Sequence, residues 1–416
     1  MNRIYLGLLF CLLATVSAVP LYAQQEEKSV DLKALYEEID KAIEASPSYV
    51  SRRVADIDKA YGLFVEQTDG DQKLLIAEEL FALYKPYKND SALHYAQVCI
   101  DLADSLQHPA VAGRYRALMA RQCSNAGMYV ESSGILQQIN REALDSQGLT
   151  DYYDACMHVC GEVAAYTLIP KVRDYYYAEQ DHYRDSVLMY ADKGSDEYLH
   201  LLMSNLVARK QLQEALKVSD QWINKTAEGT HADAYAAYYR HIVYDHLGNE
   251  EMTRFWLAKS ALDDIKCAVM DQASLITLAQ LLNYDGDLDR SYRYILFTWQ
   301  CNSFFNTRMR ANQISPVLNV IQKNYQDSID RNTRLLIIAS IIFTVLTVLL
   351  FVALRRVQKQ KRKIAQGQAD LTAANDQLSA ANQKLQRMND RVTKYNKQLF
   401  DINYELRKEK EEQNGK

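Results

Sequence analysis

Four stretches decide how this chain is read: GMYVESSGIL (127–136), KQLQEALKVS (210–219), GNEEMTRFWL (248–257) and GDLDRSYRYI (286–295). Aligned without gaps, each opens on a turn residue and carries a small residue five places on, at Ser132, Ala215, Thr253 and Ser291. The last three begin 38 residues apart, and the 83 residues from Gly127 to Lys210 leave room for two more repeat lengths with an extension. A weaker fifth copy, YKNDSALHYA, centres on Ala92. Glycine permits a tight turn that other residues resist, and a small side chain lets two helix backbones approach. A unit of this size cannot bury its apolar face alone, so neighbours must stack.

Around these stretches the period is helical almost throughout residues 24–330, as in Leu32-Leu35-Ile39-Ile43 and Leu199-Leu202-Leu206. Only 14 Gly and 6 Pro in 416 residues disfavour a turn-rich β fold. The fold class is therefore all-α, an α-solenoid of helix–turn–helix units. It resembles the tetratricopeptide repeat, whose G-x-Y-x-x-A core is matched by Gly127-Tyr129-Ser132 and Gly286-Leu288-Ser291, although the spacing is longer than that family's usual period of roughly 34. In such repeats the first helix of each unit lines a concave groove. Carried over by position, this nominates Arg114, Arg121 and Ser124; His200 and Ser204; Tyr235, Tyr238 and Asp245; and Gln280 and Asn283. Aromatic rings and amides suit a peptide or protein segment. Exposed polar residues are the norm, so each one taken singly is as well explained as a solvated or packed side chain.

The ends of the chain set its compartment. Arg3 followed by the apolar run Leu6–Val16 reads as a secretory signal peptide, residues 1–23, cut after Ala23. Residues 335–354, LLIIASIIFTVLTVLLFVAL, contain no charge, Pro or Gly. At 1.5 Å per residue this run covers ~30 Å, enough for one transmembrane helix. Six bases follow within residues 355–367 (Arg355, Arg356, Lys359, Lys361, Arg362, Lys363), a basic juxtamembrane linker, whereas Arg331 and Arg334 precede the span beside Asp327 and Asp330. The basic flank marks the cytoplasmic side. The expected location is the inner (cytoplasmic) membrane, single-pass, with residues 24–330 in the periplasm and the C-terminus in the cytoplasm. The formal charge of −5 hides this division: residues 355–416 hold 15 bases and 8 acids.

Catalytic signatures are missing. The sequence has no G-x-x-x-x-G-K-[ST], G-x-G-x-x-G, H-E-x-x-H or G-x-S-x-G, so no enzyme, cofactor or metal site is expected. All eight His precede the span, which excludes a phospho-accepting histidine in the tail. Cys156-Met-His158-Val-Cys160 places two thiols on one helix face, but a metal would need further ligands. Small buried side chains are the better reading for Cys99, Cys123, Cys156, Cys160, Cys267 and Cys301, although an exported domain allows disulfides.

The tail carries a strict heptad: Leu371, Leu378, Leu385, Val392, Leu399 and Leu406, with Ala374, Ala381, Met388, Tyr395 and Ile402 three residues after the first five. Such a seam predicts a coiled coil over residues 368–412, with self-association as a parallel coil the default. Asn375, Asn382, Asn389, Asn396 and Asn403 border the seam and favour one register.

In this order the parts resemble a Bacteroidota family of membrane-anchored, tetratricopeptide-repeat-like regulators. The stretches LKALYEEIDKAIEASPSYVSRRVADIDKAY (Leu32–Tyr61) and NDSALHYAQVCIDLA (Asn89–Ala103), with the Asn-Leu heptads, carry the likeness. The resemblance implies a sensor whose coil relays dimer state to a cytoplasmic, transcriptional output. Members continue into a further C-terminal domain, whereas this sequence stops at Lys416, so nucleic acid is expected to be contacted only indirectly, if at all. The alternative is a membrane scaffold whose repeats hold an envelope complex and whose coil only dimerises.

A peptide of residues 365–412 should be helical and self-associate in sedimentation equilibrium. Replacing Leu385 and Leu399 by Asp should leave it monomeric, because each change puts a charge into the apolar seam. A monomeric wild-type peptide would exclude the coil.

Overall fold

The computed structural model describes residues 31–413 and 415; the signal peptide lies outside them. The described residues form α-helices, one short 3-10 turn at Arg141–Ala143 and no strand. A long helix, α1 (Leu32–Glu66), is followed by six antiparallel pairs: α2 (Gly70–Tyr84) with α3 (Asn89–Ser105), α4 (Pro109–Asn125) with α5 (Tyr129–Gln137), α6 (Ser146–Tyr166) with α7 (Pro170–Tyr190), α8 (Asp196–Ala208) with α9 (Leu212–Lys225), α10 (His231–His246) with α11 (Glu250–Lys266), and α12 (Ala273–Asp285) with α13 (Leu288–Phe305). The last helix, α14, is Arg308–Gln413. The described residues divide into two units, one ending at Asp327 and the other beginning at Ser328.

The aligned stretches are the inter-helix turns. Gly127, Gly248 and Gly286 have φ of 78°, 72° and 88°, and Lys210 takes the same left-handed conformation at 60°. Each turn closes with the same pair of bonds, for example Gly127 N to Ser124 O and Met128 N to Cys123 O, both 2.9 Å, the pattern that satisfies a helix's last carbonyls. The small residues sit against the first helix. Ser132, Ala215 and Ser291 have no exposed surface and Thr253 has 6 %. Ser132 Oγ donates to Ala120 O at 2.6 Å and Ser291 Oγ to Ala279 O at 2.7 Å, each twelve residues back in its unit.

The array closes on itself. The first half of α1 lies on the last repeats, where Tyr36, Ile39 and Ala42 pack with Leu275, Leu278 and Tyr294. Its second half, through Ile57 and Ala60, joins the cluster of α2–α4, which also takes in Met270, Cys301 and Phe305 from the last repeats. Polar bonds seal the seam: Met270 N donates to Pro86 O at 2.9 Å, Arg53 to Cys267 O at 2.7 Å, and Arg290 Nε pairs with Asp40 at 3.0 Å. Ile39 is fully buried, a side chain for which burial stabilises by about 1.5–3 kcal/mol. Among the described residues the six cysteines are free thiols, all buried except the half-buried Cys267.

In the second unit, α14 contains a helix long and apolar enough to cross a membrane, with a mean hydropathy of 3.0 in its best window. Residues 355–367, whose bases and Gly367 suggest fraying, are helical. The heptad side chains are exposed, Leu371 by 65 % and Leu385 by 58 %.

Lys210 occupies a conformation that costs a residue with a Cβ about 1 kcal/mol. Lys210→Gly should therefore raise stability by about that amount and Gly286→Ala should lower it comparably. Urea midpoints, fitted with a common slope, measure both; no gain at Lys210 would contradict the turn geometry.

Candidate functional site

Successive first helices meet on the concave face, and charge joins them one repeat on. Arg114 and Arg121 of α4 pair with Asp151 and Asp154 of α6 at 2.7 and 2.8 Å. One turn farther along, Ser124, fully buried, holds His158 Nδ1 at 2.9 Å. Farther along, His200 of α8 stands against the rings of Tyr235 and Tyr239 of α10, with centroids 6.1 and 4.6 Å apart. Trp222 of α9, wholly buried, backs both tyrosines and donates its indole N–H to Asp196 at 2.9 Å.

Several of these groups line an open cavity of about 330 Å³. Arg121, Asp154, His158 and Glu162 form one wall, Tyr177 and Gln180 of α7 a second, and His200, Tyr235 and Tyr239 a third. Donors and acceptors alternate with aromatic faces, so the cavity can hold a compact polar group and stack on it. Burial, reinforced by the charges of Arg121 and Arg310, drives the His158 pKa well below its usual range, so its ring is neutral. Burial likewise lowers His200 to about 4, against the opposing pull of Asp154. Burial raises Glu162, and Arg310 and Arg121 oppose that rise. Burial also disfavours the Arg121 cation, but Asp154 together with Tyr235, Tyr239 and Glu162 more than offsets it and the net shift is upward.

Of the residues nominated from sequence, Arg121, His200 and Tyr235 come together in the cavity. Arg114 is held by Asp151, Ser204 is half-buried outside the lining, and Gln280 is exposed outside it. Asn283 accepts a bond from Asn324 at 3.1 Å. Tyr238 is half-buried with its ring 4.8 Å from His241. Ser124 is buried and Asp245 exposed. Tyr235 is also half-buried and packs on Trp222. Tyr235 thus both lines the cavity and packs on the helix behind it, because a ring wide enough to line the concave face also reaches Trp222. Sequence reasoning missed Asp154, His158, Glu162, Tyr177, Gln180 and Tyr239. Asp154 had a signal, an acid one repeat after Arg121. Tyr177 and Gln180 had none, because they lie on a second helix.

Residues 43–316 match the family model described as the SusR N-terminal TPR domain. No curated protein matches the chain.

The depressed His200 pKa fixes the sign of a pH effect. Below pH ~6.5 the unfolded chain takes up a proton that the folded chain refuses until about pH 4, so stability falls as pH drops through that window. Asp154, Arg121 and Arg184 are the charges acting on the ring. His200→Gln should unfold less readily at pH 4.5 than the wild type, relative to pH 7.5, in thermal melts at both values. An unchanged pH dependence would show that the ring is solvated.

Proposed function

The chain belongs to the SusR N-terminal TPR domain family, and from that premise we propose that it is a non-enzymatic, membrane-anchored sensor. Its repeat domain, residues 24–330, binds a peptide or protein ligand in the periplasm. Residues 335–354 cross the inner membrane, residues 355–367 form the basic flank, and residues 368–412 pair as a coil that relays dimer state to a cytoplasmic, transcriptional output. The observation that carries this reading is the cavity beside α4, α6, α8 and α10, where three nominated residues from three different repeats converge. A cavity of about 330 Å³ takes one or two side chains of a ligand, not a long extended segment, and closure of the array by α1 is what narrows the groove to that size. The exposed heptad side chains support self-association, because an unpaired apolar stripe gains by burial against a second copy.

A photoreactive phenylalanine in place of Tyr177, which lines the cavity, should cross-link a periplasmic peptide or protein segment in intact cells. Mass spectrometry should map the adduct to the cavity walls. The same substitution at Gln280, exposed and outside the lining, should not. Equal yields at the two positions, or none at Tyr177, would overturn this assignment.

A further inference from the structure

Three arginines in and around the cavity each hold an acid. Arg114 pairs with Asp151 at 2.7 Å, Arg121 with Asp154 at 2.8 Å and Arg310 with Asp271 at 2.6 Å. Glu162, on the cavity wall, is the acid left over. Among the described residues it forms no ion pair. The hydroxyl of Tyr129, at the start of α5, donates to its Oε2 across 3.5 Å, the outer limit of a hydrogen bond. Within the lining Arg121 and Asp154 cancel, and both histidines are neutral because burial lowers them. The lining therefore carries one uncompensated negative charge, on Glu162. Burial pushes the Glu162 pKa up, against the pull of the Arg310 and Arg121 charges, so its charged form stands to gain from a cation in contact.

The same cavity is rich in rings. Tyr235 and Tyr239 meet edge to face at 5.0 Å, and Trp222 behind them holds both in place, so these faces are set before a ligand arrives. Tyr177 comes from the opposite helix of its own pair, α7, and is 44 % exposed. Among the described residues its ring stacks on no other, although Tyr175 and Tyr176 beside it pair with each other. Aromatic faces are electron-rich and attract cations. An anion entering here would meet Glu162 and find Arg121 already taken. A neutral apolar side chain would use the rings and leave the carboxylate without an opposite charge. A cation on an apolar stem uses both.

We propose that the cavity takes a cationic side chain, that of lysine or arginine, from the peptide or protein ligand, with Glu162 as its charge partner and Tyr177, Tyr235 and Tyr239 as the faces it lies against. The ammonium or guanidinium replaces the long bond from Tyr129 with a charge-assisted one, which is shorter and stronger. The aliphatic stem lies along the rings, as long basic side chains do on apolar surfaces. The proposal rests on the cavity being the ligand site, and it names the chemistry that site selects.

The test is equilibrium dialysis of the full chain in detergent against four capped tripeptides, acetyl-Gly-X-Gly-amide, with X lysine, arginine, norleucine or glutamate. The lysine or the arginine peptide should bind at least about tenfold more tightly than norleucine, the size of effect a charge-assisted bond gives, and glutamate should bind most weakly. Glu162→Gln should abolish the preference for the cation and leave norleucine binding unchanged. Tyr177→Leu, at the exposed edge, should weaken the cationic peptides about threefold. Equal binding of the lysine, arginine and norleucine peptides, tighter binding of glutamate, or a preference that survives Glu162→Gln would each overturn the proposal. The wild-type series needs no variant, so it decides the matter together with Tyr177→Leu if Glu162→Gln misfolds. Binding of none of the four overturns the cation site and leaves the cross-link at Tyr177 to decide whether the cavity takes a ligand at all. A failed cross-link beside an intact, Glu162-dependent cation preference removes the peptide partner in cells and leaves the cation site standing.

Discussion

Everything on the concave face depends on α1 crossing from the first repeats to the last. Its packing is continuous, from Tyr36 and Ile39 on the last repeats to Ile57 and Ala60 on the first. Helical repeats contact only their neighbours and would otherwise form an open spiral whose ends are free. Here the ends are joined, and Met270 N reaches Pro86 O across 184 residues of sequence. Without that seam Met270, Cys301 and Phe305 would face water instead of the α2–α4 cluster.

Closure changes what the repeats can recognise. An open solenoid presents a long trough suited to an extended segment, whereas a closed one concentrates its first helices around a restricted volume. Charges in such a volume are costly to leave unpaired. Arg114, Arg121 and Arg310 each have a carboxylate, at Asp151, Asp154 and Asp271. A ligand in this cavity would therefore have to exchange partners with groups already satisfied, an arrangement that favours selectivity over raw affinity. The arrangement also explains why two histidines beside the arginines are neutral: burial and neighbouring positive charge act in the same direction on His158, and burial dominates at His200.

The residue types in the chain determined the repeat, its turns and its apolar end. Gly127, Gly248 and Gly286 fall where the backbone turns left-handed, and Lys210 adopts the same shape without being glycine. The small residues five places later announce close helix packing because no larger side chain fits between the paired backbones. The uncharged run 335–354 and the heptads after it are legible because both obey a one-dimensional rule, length or period. The tertiary structure alone decided which nominated residues meet. Arg121, His200 and Tyr235 converge while Gln280 stays outside, because convergence depends on the curvature that α1 imposes and not on position within a repeat. It also decided that Tyr177 and Gln180, on a second helix, would join them, and that Asn283 would be covered by Asn324. Local pattern specifies which face a side chain takes, but the distance between faces of separate repeats is set by packing between residues hundreds of positions apart.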